Sequence, residues 1–135
     1  MDLALTNKTA FITGSYRGTG LTIAATLANE GAKVITHAFT QEQSEAADWD
    51  FEHFAVIGDI TCDEGAKSVV EQLQSNNINI DILVNNYGTA EPNTWDATNS
   101  DDWIRMYEVN VLSGVRMTQA LTPYMRENGW GRIIQ

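Results

Sequence analysis

A chain of 135 residues with a hydrophobic fraction of 43% is long enough for one domain with a core of its own. Its formal net charge of -10, with only 8 Lys and Arg scattered along it, excludes the clustered basic surface that a nucleic-acid partner requires. The single cysteine, Cys62, excludes an internal disulfide and suits a reducing compartment, and the apolar runs are too short for a membrane span.

Taken in chain order, residues 1–5 have neither the basic start nor the apolar stretch of a secretory leader, so a cytoplasmic location is expected. An apolar run over 9–13 reads as a strand, and a helical pattern over 19–29 follows it. Gly31 stands where a left-handed helix stop belongs. Further strands are expected over 33–37, 54–57, 81–85 and 132–135, and further helices over 41–48, 63–75 and 101–127. The strands are continuously apolar rather than alternating, which predicts a parallel sheet covered on both faces. With right-handed crossovers this is a doubly wound α/β sheet, Rossmann-like, forming a single domain over 1–135. The helix from Asp101 would be about 40 Å long at 1.5 Å per residue. Ser100 is its expected cap, Asp101 and Asp102 complement its dipole, and Pro123 should kink it or leave a carbonyl unpaired. Trp103, Met106, Tyr107, Val111, Val115 and Leu121 give it broad apolar coverage, so one side must meet the sheet and another is a second buried face or a partner surface.

The stretch Thr13-Gly14-Ser15-Tyr16-Arg17-Gly18-Thr19-Gly20 lies between the first strand and the first helix. Glycines in such a turn let the backbone approach a pyrophosphate, and the first N–H groups of the helix face the anion. Gly14, Ser15, Arg17, Gly18, Thr19 and Gly20 are therefore candidate binding residues. Asp59 and Ile60 follow the third strand, at the crevice where open α/β sheets bind ligands. Asp59 either meets an adenine amino group there or simply opens a turn with Thr61 and Asp63. Asn85 and Asn86 leave the fourth strand as groups suited to tie neighbouring loops together. Asn110 sits among apolar residues in mid-helix, a costly place unless its amide is paired. No metal site is expected.

In this order and spacing, Thr13-Gly14-x-x-x-Gly18-x-Gly20, Asp59-Ile60, Asn85-Asn86-Tyr87-Gly88, Asn110 and the tail Gly129 to Ile134 resemble the short-chain dehydrogenase/reductase family over essentially the whole chain. The resemblance implies hydride transfer between a nicotinamide cofactor and a small carbonyl or alcohol substrate. It implies cofactor contacts at Asp59, Ile60, Asn86, Tyr87 and Gly88, and a catalytic Asn110 holding a water in a proton relay, the alternative for Asn110 being a structural bond to a nearby strand. Cofactor choice points to NADP: an NAD site places an acid roughly 20 residues beyond the turn. Residues 36–40 hold none, while Arg17 can reach a 2′-phosphate. His37 adds a donor there or is merely tolerated at the strand end. Tyr87 stands where the family usually has alanine, and a phenol there can stack on the nucleotide or crowd it. The family's serine and Tyr-x-x-x-Lys pair are missing, because Tyr16, Tyr87, Tyr107 and Tyr124 precede Gly20, Glu91, Val111 and Asn128 by four positions. The expectation is thus the cofactor-binding N-terminal part of an NADP-dependent oxidoreductase, truncated after its fifth strand and inactive alone. The alternative is a truncated, non-catalytic homologue that binds nucleotide or a partner chain. A homo-oligomer joined through the helix from Asp101 is expected in either case.

Overall fold

The apolar runs over 9–12, 33–38 and 82–84 become strands because both of their faces find cover, whereas 132–134 forms an exposed edge. A computed structural model describes residues 3–135; Met1 and Asp2, the start of the leader reading, lie outside the described residues. The strands are β1 (Thr9–Ile12), β2 (Lys33–Ala38), β3 (His53–Ile57), β4 (Ile82–Val84) and β5 (Arg132–Ile134), all parallel in the order β3-β2-β1-β4-β5. Between them run α1 (Gly18–Asn29), α2 (Gln41–Ala46) and α3 (Asp63–Ser75). Phe11, Ile35 and Leu83 point to one side, where they pack with Val69 and Leu73 of α3 and with Met117 and Leu121. Ala10, Ile12, Val34, Ile82 and Val84 point to the other, against Ala24 of α1. Successive residues of a strand alternate between these two cores. That is why the strands read as unbroken apolar runs. The sheet is doubly wound, with its order reversing between β1 and β4, so a crevice opens at the carboxyl ends of those strands.

The strand starts are pinned as well. Asp81, buried just before β4, accepts the Thr9 N–H at 2.9 Å through its carboxylate. Gly31 takes φ +89° just past α1, the left-handed stop its position implied.

The long helix departs from expectation in two respects, its π turn and its cap. It comprises α4 (Ser100–Tyr107), a π turn (Glu108–Leu112) and α5 (Ser113–Glu127). Its cap is Asn99, not Ser100: Asn99 Oδ1 accepts the Asp102 N–H at 3.0 Å, and Asp102 Oδ2 accepts the Asn99 N–H at 3.1 Å. This reciprocal box satisfies two helix-end donors at once, which Ser100, the first helical residue, cannot do. Of the two outcomes expected for Pro123, α5 runs on through it: Pro123 faces solvent, where a carbonyl deprived of its donor is open to water. Among the described residues no helix is long and apolar enough to cross a membrane, and no group of His, Cys, Asp and Glu is placed to hold a metal ion.

Candidate functional site

The glycine turn is built from its glycines outward. Gly14 and Gly18 take φ +62° and +56°, a region that favours glycine. Gly20 is required by space instead, since a Cβ there would stand 2.5 Å from both the Gly14 carbonyl oxygen and Asn86 Nδ2. Around Gly18 a Cβ would meet nothing within 4 Å, so the rim of the turn is open. The N-cap of α1, Arg17, makes no side-chain cap, and the first turn carries no acid. The positive end of the helix is therefore not neutralised from within. Arg17, Gly18 and Thr19 are exposed there, with the Arg17 guanidinium over the Tyr16 ring at 5.2 Å.

Beneath this rim the turn is held by residues that sequence reasoning underrated. His37 is fully buried: its Nδ1 accepts the Gly14 N–H at 2.9 Å, and its Nε2 lies 2.8 Å from the Gly58 carbonyl. The first bond makes Nδ1 an acceptor, so the proton resides on Nε2 and is donated to Gly58. Burial lowers the His37 pKa to about 4, against the opposing pull of the Gly58 carbonyl and the Asp59 charge. Ser15 is equally committed. Its Oγ accepts the His37 N–H at 2.9 Å, its N–H donates to the His37 carbonyl, and its carbonyl accepts the Trp49 indole N–H at 3.1 Å. Ser15 thus anchors the turn rather than lining its rim. No motif announced the roles of His37 and Trp49; the first follows from β2 lying beside β1, the second from the segment between α2 and β3 reaching back to the turn.

The β4 end closes the other wall. Asn86 Nδ2 donates to the Thr13 carbonyl at 2.9 Å, and the Tyr87 N–H donates to Thr13 Oγ1 at 3.0 Å. Asn85 Nδ2 reaches Thr118 Oγ1 of α5 at 3.1 Å, leaving its buried Oδ1 without a hydrogen-bond partner. The two amides tie β4 to the glycine turn and to α5, as their position suggested. Asp59 makes the turn that was its simpler alternative: Oδ1 accepts from the Thr61 N–H at 2.9 Å and from the Thr61 hydroxyl at 2.6 Å. The carboxylate remains exposed at the end of β3, whereas Ile60 is packed in the core, so only the backbone of Ile60 can meet a ligand.

Asn110 lies in the π turn, and both hydrogens of its amide are paired. Nδ2 donates to the Thr89 carbonyl at 2.9 Å and to the Met106 carbonyl at 3.0 Å, while Oδ1 accepts the Thr89 N–H at 3.0 Å. A Cβ on Gly88 would stand 2.7 Å from that Oδ1, so Gly88 keeps the approach open. Met106 also lines a cavity of about 300 Å³ with Trp95 and Trp103. Arg116 of α5 ties the π turn to the segment after β3, bonding Asp63 Oδ1 at 2.5 Å, the Thr61 carbonyl at 3.1 Å and Glu108 Oε2 at 2.8 Å. The turn, Asp59, Asn86 to Gly88 and Asn110 therefore line one crevice along the carboxyl edge of the sheet.

Comparison with known proteins places this arrangement. The profile of the short chain dehydrogenase family matches residues 8–135. An uncharacterized oxidoreductase of Bacillus subtilis is 38% identical over 99% of the chain and 52% of its own length. The 3-oxoacyl-[acyl-carrier-protein] reductase of Haemophilus influenzae is 32% identical over 94% and 53% respectively. The L-sorbose reductase of Gluconobacter frateurii, solved with NADPH and L-sorbose, superposes with a TM-score of 0.89 at 34% identity, over 98% of the chain and 53% of that protein. The chain thus spans about half the length of the relatives it matches. A doubly wound sheet, a glycine turn of this build and a family profile that covers all but the first residues agree: the chain belongs to the short-chain dehydrogenase family of oxidoreductases.

Proposed function

We propose that residues 1–135 form one nucleotide-binding domain, the cofactor-binding part of an NADP-dependent oxidoreductase acting on a small carbonyl or alcohol in the cytoplasm. The observation that carries this reading is the uncapped, acid-free start of α1 with Arg17 at its rim. The end of β2 supports the phosphorylated cofactor, because His37 is committed to Gly14 and Gly58, and Ala38 and Phe39 carry no carboxylate for a ribose hydroxyl. The NADPH of the sorbose reductase, a protein of the same fold, supports it too.

Gly14, Gly18, Thr19 and Gly20 hold the pyrophosphate by backbone, Arg17 the 2′-phosphate, and Asp59 with the backbones of Ile60 and residues 86–88 the adenosine. Bound there, the cofactor supplies or accepts a hydride. Asn110, already oriented by Thr89, holds the proton-relay water that the family resemblance assigns to it. The four tyrosines of these residues lack a lysine four positions on, so the acid/base pair is not among them and these residues alone do not turn over. An apolar stripe on the outer side of the long helix supports self-association of this domain.

Titration of nicotinamide fluorescence with the full chain tests the reading. NADPH should bind more tightly than NADH, and Arg17→Ala should remove about 1–3 kcal/mol of that preference, the range for a charge-assisted contact. Equal affinity for the two cofactors overturns the choice of NADP.

A further inference from the structure

Tyr87 is the residue of the crevice whose side chain the cofactor reading does not use. Its backbone is fixed by Thr13, and its ring lies beside Gly14. Cβ and Cδ2 lie 3.2 and 3.0 Å from where a Cβ on Gly14 would stand. The ring leans on Phe39, with 4.3 Å between centroids and 46° between planes, and Phe39 in turn meets His37 edge-on. Both Phe39 and Tyr87 pack against the core beneath α3 and α5, and Tyr87 is half-buried there. Burial raises its pKa above the ordinary tyrosine value, with Tyr16 and Asp59 adding to the shift and Arg17 opposing it. The ring is therefore bounded by the turn after β1, the end of β2 and the end of β3. In a doubly wound sheet those three walls enclose the adenosine half of a dinucleotide.

We propose that Tyr87 occupies the adenosine slot of the free chain and sets its affinity for adenine nucleotides, because the ring must leave before a base enters. The inference rests on the nucleotide reading above. A stacking platform would require an open face, and Phe39 and the Gly14 backbone already flank this ring. Leaving forfeits the Phe39 contact, so the binding-competent arrangement is a minor one and the apparent affinity falls in proportion.

Calorimetric titration of the full chain with 2′,5′-ADP tests the inference. Tyr87→Ala should tighten binding about 2- to 10-fold, the factor equivalent to one aromatic pair. Phe39→Leu, which removes the support and leaves Tyr87 in place, should shift affinity in the same direction and serves if the first variant folds poorly. A second measurement follows the ring itself: saturating 2′,5′-ADP should increase nitration of Tyr87 by tetranitromethane, mapped by peptide mass spectrometry. Unchanged or weaker binding in Tyr87→Ala, or protection of Tyr87 by the nucleotide, overturns the proposal in favour of a platform or a bystander. Failure of parent and variants alike to bind 2′,5′-ADP overturns the nucleotide reading instead.

Discussion

His37 is held neutral by its surroundings, and that makes the glycine turn sensitive to acid. Its folded pKa of about 4 lies below the ordinary histidine value of 6.5, so between those values the unfolded chain takes up a proton that the folded chain refuses. The stabilisation is full above pH 6.5 and drains away as pH falls toward 4, by about 3 kcal/mol over the interval. Urea unfolding at pH 7 and pH 4.5 should show this loss in the parent and a smaller one in His37→Gln, which cannot titrate. An equal loss in both proteins would sink the assignment. The glycines of the turn separate two kinds of cost. Gly18→Ala meets only backbone strain, about 1–2 kcal/mol for a left-handed residue, because the space around it is open. Gly20→Ala drives a methyl against the Gly14 carbonyl and should cost more, up to about 3 kcal/mol by overpacking. Thermal melts of the two variants check the order.

At the scale of elements, the cap of α4 is a separable contribution. Asn99→Ala removes the acceptor for the Asp102 N–H and should lower stability by about 1 kcal/mol, read from the urea midpoint. How the cap escaped a sequence reading is instructive. Asn99 and Ser100 are both good cap residues in adjacent positions, and only the spacing from Asn99 to Asp102 distinguishes them. The strands were legible because unbroken apolar runs are what a two-sided parallel sheet demands. The glycine turn was legible for a different reason, since few other residues take the backbone it needs. The π turn left no trace, because Val109, Ser113, Met117, Leu121 and Met125 step by four throughout. A regular helix drifts by about 40° with each such step, and one wider turn absorbs part of that drift. The His37 bonds were hidden for another reason: Gly14 and Gly58 lie 23 and 21 residues away, brought near only by strand order.

Across the whole molecule, the long helix carries two apolar faces. Val109, Met117, Leu121 and Met125 are buried against the sheet, while Trp103, Tyr107, Val111 and Val115, also spaced by four, form an exposed stripe. Trp103 is 58% and Tyr107 56% exposed. Covering a few hundred Å² of such surface is worth several kcal/mol at about 25 cal/mol per Å². Sedimentation equilibrium should therefore show a dimer at tens of micromolar, and Trp103→Glu with Tyr107→Glu should yield monomers of unchanged circular dichroism. A monomeric parent counts against the stripe as an interface.

The indole of Trp49 reaches from the segment between α2 and β3 to the Ser15 carbonyl in the glycine turn. It is one of four tryptophans, so a proton–nitrogen spectrum of the protein should contain four indole signals. Trp95 and Trp103 stand in the open, and only Trp49 donates to the turn. Its resonance is a built-in reporter: slow to exchange with deuterated solvent, shifted downfield by the carbonyl, and displaced whenever the turn tightens. The state of the glycine turn can thus be followed without attaching a probe.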